Sequence, residues 1–239
     1  MFFGITWEGV FRTISQISGA GVAITAFSLL LFSMAYNLRE RVVRSFILIL
    51  LCGAIVYAAE AIAGVSNQPS LIQVMLRIKW VGIIFLPATY LHFSDSLLTL
   101  TGRPSRGRRL FAVRAIYTLS FLLVILVPLN ILVGPYTGAN LPAPHLERTF
   151  FTALFAVFYA VVMLAAGSIL YRAYQRTVTR TSRRRMIYLL AGATAVALGS
   201  FPFLLFGSGL FARTPIIFWI LVSISSLGVG AFLVIMTYA

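Results

Sequence analysis

Arg77, Lys79, His92 and Asp95 all fall within one stretch, RIKWVGIIFLPATYLHFSDSLL (77–98), whose other residues are apolar enough to sit in lipid. Two cations, an imidazole and a carboxylate in such a setting form ion pairs, relay protons or hold a ligand, because an unpaired charge in hydrocarbon is costly. At about 100° per helical residue, Arg77 and Asp95 return to one azimuth, with His92 about 60° away, so the three share a polar stripe. Lys79 points about 200° from Arg77, towards a different neighbour. Glu60, near the end of the preceding apolar run, lies at a depth comparable to Arg77 and Lys79 and is expected to pair with one of them. Asp95, at the other end, is expected to be neutralised by Arg44, Arg103 or Arg185, with His92 one turn away sharing a hydrogen bond. The blander arrangement has Arg77 and Lys79 snorkelling to headgroups, Asp95 capping a basic rim and His92 merely packing. Pro87 gives no N–H to the carbonyl of Ile83 and crowds that turn, which makes Gly82 and Pro87 a candidate hinge. Glu60, Arg77, Lys79, His92 and Asp95 are the candidate polar switch.

The elements that must position these groups follow from composition. The 239 residues are 60% hydrophobic and only 10% charged, against about 25% charged in soluble domains. This is the balance of an integral membrane protein. Apolar runs of about 20 residues, the length a helix needs to cross a bilayer, recur along the whole chain. Spans are expected at 14–36, 43–65, 71–100, 110–133, 149–171, 186–208 and 214–238. Segments such as FSLLLFSMAY are apolar on every side, which excludes the alternation of a membrane β-barrel. The fold class is therefore an all-α, seven-transmembrane bundle (14–239) behind a short interfacial segment (1–13), whose Phe2, Phe3, Trp7 and Phe11 suit a membrane surface. That segment lacks the basic start of a secretory signal, so the first span is expected to stay as an anchor.

The net charge of +14 is placed in a way that argues against nucleic acid. Fourteen of the nineteen cations lie in or beside the first, third and fifth connections. They include a rim of Arg103, Arg106, Arg108, Arg109, Arg183, Arg184 and Arg185. Short arginine-rich loops stay in the cytoplasm, so the N-terminus is expected outside and the C-terminus inside. The same rim attracts anionic lipid headgroups, at about 1 kcal/mol for each cation near the surface. Other membrane helices or a second copy are the remaining expected partners.

Several chemistries are poorly provided for. A retinal Schiff base needs a lysine in the last span, and the single lysine is Lys79. Zinc and haem need converging ligands, whereas the two histidines, His92 and His145, fall in different compartments. GVG (228–230) and GSG (207–209) follow no strand and read as packing positions, as do Ala191, Ala195 and Gly199. The loop GPYTGANLPAPHLER (134–148) reads as a connector. No catalytic constellation and no cofactor are expected.

YAAEAIAG (57–64) and LRIKWVGIIFLPATYLHFSDSLLTLTG (76–102) carry an acidic residue, an aromatic–Gly pair, a proline and a closing Thr-Gly. VPLNILVGPY (127–136) and the basic YRAYQRTVTRTSRRRMIYLLAG (171–192) follow in order. In these features most of the chain resembles the seven-transmembrane N-terminal region of bacterial sensor histidine kinases. The resemblance implies a membrane input module in the bacterial inner membrane, whose seventh helix hands a conformational change to a cytoplasmic output domain. No phosphoacceptor helix or nucleotide-binding domain lies within the 239 residues, so the chain itself is not expected to be an enzyme. The rival expectation is a structural or accessory subunit of a larger membrane assembly, in whose pigment-carrying form His92 would be an axial ligand.

Overall fold

The computed structural model describes residues 7–36, 40–102, 107–136, 144–176, 183, 187 and 215–238. Among these the chain forms α1 (Trp7–Tyr36), α2 (Arg41–Val65), α3 (Pro69–Leu100), α4 (Arg108–Leu126), α5 (Phe150–Gln175) and α6 (Pro215–Tyr238). Five of them, α1 to α5, are long and apolar enough to cross a membrane, and α6 contributes the apolar stretch Trp219–Ala231. The molecule is a multi-pass helical membrane protein. Of the expected span 186–208 only Ile187 is among the described residues.

Its polarity is reversed relative to a water-soluble bundle. Phe111, Phe121, Phe150 and Leu164 are exposed, whereas Ser45, Ser94, Ser96 and Ser120 are buried. Lipid offers a hydroxyl no partner, so each must find one inside the protein. Ser94 donates to Tyr90 O (2.8 Å), Ser96 to His92 O (2.9 Å) and Thr99 to Asp95 O (2.8 Å), all bonds back onto α3 itself.

Local sequence sets the helix ends. Pro69 sits in the first turn of α3, where its missing N–H leaves nothing unsatisfied. Gly102, at φ +84°, turns the chain after Thr101, whose hydroxyl donates to Leu98 O. Helix α4 stops at Leu126, short of the expected 133. Pro128 has no N–H to continue the ladder, and Asn130 adopts a left-handed φ of +57°. A small hairpin follows, with Val133 bridged to Arg148 and the Gly134 N–H donating to Glu147 O at 2.9 Å. Thr149 closes it: its hydroxyl bonds Ile131 O and Leu132 O, and together with Thr152 it forms a capping box on α5. The first helix begins at Trp7, inside the stretch that the sequence sets apart as interfacial.

Helix α3 is central, packing on α2, α4 and α5, while α1 packs between α2 and α6. Ser18 of α1 shares a 2.7 Å hydrogen bond with Ser226 of α6. The bundle thus has a hairpin end, where the α2–α3 and α4–α5 connections lie, and a basic end, where α2 and α4 begin with arginines.

Candidate functional site

The ionisable residues of α3 occupy two separate centres. At the hairpin end Lys79 is 3% exposed, and its ammonium donates to Oε2 of Glu60 on α2. Burial makes the pairing obligatory, because a lysine stranded in a lipid-facing bundle has no water to turn to. Of the two candidates for Glu60, it is Lys79 and not Arg77 that pairs. Arg77 points elsewhere, as the helical azimuths require, and donates from Nη2 to Asn130 Oδ1 at 2.9 Å, while its buried Nε makes no hydrogen bond. It thereby ties α3 to the turn after α4.

The Lys79–Glu60 pair separates two clefts. One, an open cleft of about 370 Å³, lies under the hairpin and is lined by Lys79, Trp80, His145, Glu147, Arg148 and Thr152 among others. The other, of about 460 Å³, lies between α1, α2 and α6, with Gln16, Tyr57, Glu60 and Trp219 in its wall. Tyr57 also lines a third, apolar cleft of about 430 Å³ deeper in the bundle, bounded by Val22, Ala26, Leu50, Leu86 and Val229.

At the basic end Asp95 is 1% exposed and stands between two guanidinium groups. Arg109 Nη1 of α4 approaches Oδ1 at 3.3 Å and Arg41 Nη2 of α2 approaches Oδ2 at 3.7 Å. Neither carboxylate oxygen makes a hydrogen bond among the described residues. This corrects the expectation for Arg44, which is exposed and makes no ion pair with Asp95 among the described residues; Arg103 and Arg185, the other expected partners, lie outside those residues. The counter-charges among the described residues come from the first turns of α2 and α4. His92 also departs from expectation. Its Nδ1 lies 3.3 Å from the Tyr117 hydroxyl, with the rings edge-to-face at 5.9 Å, so it bonds to α4 and not to Asp95.

The candidate hinge residues are both in tight contact. A Cβ on Gly82 would sit 2.7 Å from Val56 Cγ2 and 2.9 Å from the Cys52 carbonyl oxygen, so only glycine lets α2 and α3 approach this closely. Pro87 is buried within a helix that continues on both sides of it. On the turn before it, the Ser120 hydroxyl of α4 donates to Ile84 O at 3.1 Å. That is the neighbour of the Ile83 carbonyl that the proline cannot serve, and an adjacent helix meets the polarity of this turn.

Of the basic rim, Arg108 is exposed at the start of α4, and Arg183 donates to the Tyr174 hydroxyl at 3.0 Å while stacking over that ring at 5.0 Å. Arg103, Arg106, Arg184 and Arg185 lie outside the described residues, as do Ala191, Ala195 and Gly199. Sequence reasoning missed Arg41 as a partner of Asp95, Asn130, Tyr117, Ser120 and the aromatic pair Tyr57 and Trp219. Arg41 alone had a signal, being one of the basic residues beside the first connection. The arrangement is suited to charge pairing and helix packing, and no group of three His, Cys, Asp or Glu side chains converges among the described residues.

A family model described as the N-terminal 7TM region of histidine kinase matches residues 20–235. The region it describes is not a catalytic domain. No curated relative matches the chain.

Proposed function

The chain belongs to the family of N-terminal seven-transmembrane regions of histidine kinases, and from that premise we propose that it is the sensory input module of a kinase in the bacterial inner membrane. In this reading the chain spans the membrane seven times, with the hairpin end outside and the basic end, with its arginine rim, against anionic headgroups in the cytoplasm. A stimulus acts at the hairpin end on the Lys79–Glu60 pair. Loss of that bond lets α3 shift against α2 around Gly82 and Pro87, and the Asp95 centre and His92 register the shift at the other end.

The observation that carries this reading is the buried pair itself, a hydrogen-bonded charge joining two helices beside clefts that open at the hairpin end. Such a group is a two-state element, since a competing charge or a proton can break it. The contact order α3–α2–α1–α6, closed by the Ser18–Ser226 bond, supports α6 as the helix that passes the change inward.

The test is functional. With the domain joined to a histidine-kinase catalytic core in lipid vesicles, Glu60→Gln and Lys79→Met are each expected to change basal autophosphorylation by about fivefold or more, the size of a coupling near 1 kcal/mol. Unchanged activity in both variants contradicts the proposal.

A further inference from the structure

We infer that the cleft between α1, α2 and α6 is a binding site for an amphiphilic organic cation, an alkylammonium whose head lies against Glu60 and whose chain runs past Tyr57 into the apolar cleft below. Charge sign carries the inference first. In a chain of net charge +14, no lining residue of this cleft among the described residues is cationic, and the acidic side chain among them is Glu60. Glu60 keeps 26% of its side chain exposed even while bonded to Lys79.

The second observation is the company that carboxylate keeps. Tyr57 and Trp219 stand in the same wall, and a carboxylate beside aromatic faces is the chemistry that holds alkylammonium groups, by Coulomb attraction and by cation–π contact. Gln16 and Ser15 add neutral polar atoms at the rim. The third is adjacency: Tyr57 lines both this cleft and the deeper one, whose other lining residues, among those described, are apolar or glycine. A polar head site above an apolar slot fits a head and a tail, and not a compact polar solute. The cleft under the hairpin has two cations, Lys79 and Arg148, against one carboxylate, Glu147, in its described wall, so an anionic head would be drawn to that other side.

The site has a built-in consequence. An ammonium seated on Glu60 competes with Lys79 for one carboxylate, so occupancy and the α2–α3 ion pair oppose each other. This deepens the input-module reading by naming the class of stimulus, and it rests on that reading for its purpose but not for the binding. Signalling that ignores Glu60 and Lys79 defeats the input reading alone; absence of binding defeats the ligand assignment alone.

The experiment is equilibrium binding of radiolabelled decyltrimethylammonium to the full chain in nanodiscs of zwitterionic lipid, measured above empty nanodiscs. A saturable component of one per chain is expected. Glu60→Gln weakens it by about tenfold or more, as loss of a partly buried charge pair requires. Trp219→Leu weakens it by about threefold. Lys79→Met, which removes the competitor, tightens it by about threefold. Decyl sulfate shows no saturable component that depends on Glu60. Uptake equal to empty nanodiscs overturns the proposal, as does wild-type affinity in a helical Glu60→Gln protein. Should Glu60→Gln lose its helicity, Trp219→Leu and Lys79→Met decide the matter, and unchanged affinity in both overturns it.

Discussion

The two ends of α3 handle buried charge in opposite ways. At the hairpin end one ammonium meets one carboxylate through a hydrogen bond, and the cation is the deeper member: the Lys79 side chain is 4% exposed, against 26% for Glu60. At the basic end, among the described residues, one carboxylate meets two guanidiniums without a hydrogen bond, and the anion is the deeper member: Asp95 is 1% exposed, against 37% for Arg41 and 26% for Arg109. The first is a balanced bond between two helices that a rival charge can replace. The second is a redundant strut across three helices, in which loss of one arginine leaves another. A switch belongs at the first and an anchor at the second.

The sharpest way to break this contrast is to remove the shallow partner at the hairpin end. Glu60→Gln strands Lys79 and is expected to destabilise the fold by about 3–5 kcal/mol, the cost of leaving a buried charge uncompensated. Lys79→Met leaves a carboxylate that reaches water and should cost less than half as much in the same SDS-unfolding titration. Equal losses would show that depth does not decide the outcome. Next in size is Gly82→Ala, expected to cost about 1–3 kcal/mol by forcing α2 away from α3 against Val56 and the Cys52 carbonyl. Unchanged stability there means that the helices do not meet as closely as described.

At the basic end the expected losses are smaller. Arg41→Ala should cost about 1 kcal/mol or less, because its side chain is well exposed and Arg109 remains on Asp95. Removing both arginines should cost more than the two single losses summed, since only then is Asp95 abandoned. Additive values would replace the redundant strut with two independent contacts. A loss of similar size to that of Arg41→Ala is expected for Ser120→Ala, about 0.5–1.5 kcal/mol for one hydrogen bond to the Ile84 carbonyl, read from the same unfolding curves.

Much of the fold was legible because lipid imposes a plain rule on sequence: apolar stretches of spanning length become helices. Helices α2, α3 and α5 lie close to their expected ranges on that ground, whereas α4 ends early for a reason that hydropathy does not register, the missing donor of Pro128 and the left-handed Asn130. Of residues 186–208, where the sixth span is expected, only Ile187 is among those described. The site was legible by depth and azimuth. Those two quantities separated Lys79 from Arg77 and placed Glu60 level with both, but left the choice of partner open. What they could not supply was lateral neighbourhood. The partners of Asp95 and His92 come from α2 and α4, and which arginine of a basic cluster faces inward depends on helix rotation, which apolar sequence leaves nearly free. The same holds for the Tyr57 and Trp219 wall, built from residues far apart in the chain.

The account stands on the coupling between Lys79 and Glu60, and a double-mutant cycle measures it directly. Unfolding free energies of the wild type, Glu60→Gln, Lys79→Met and the double variant are predicted to show the double losing at least about 2 kcal/mol less than the two singles combined. Single losses that add to within about 0.5 kcal/mol would contradict it, for then no bond between the two helices is being broken.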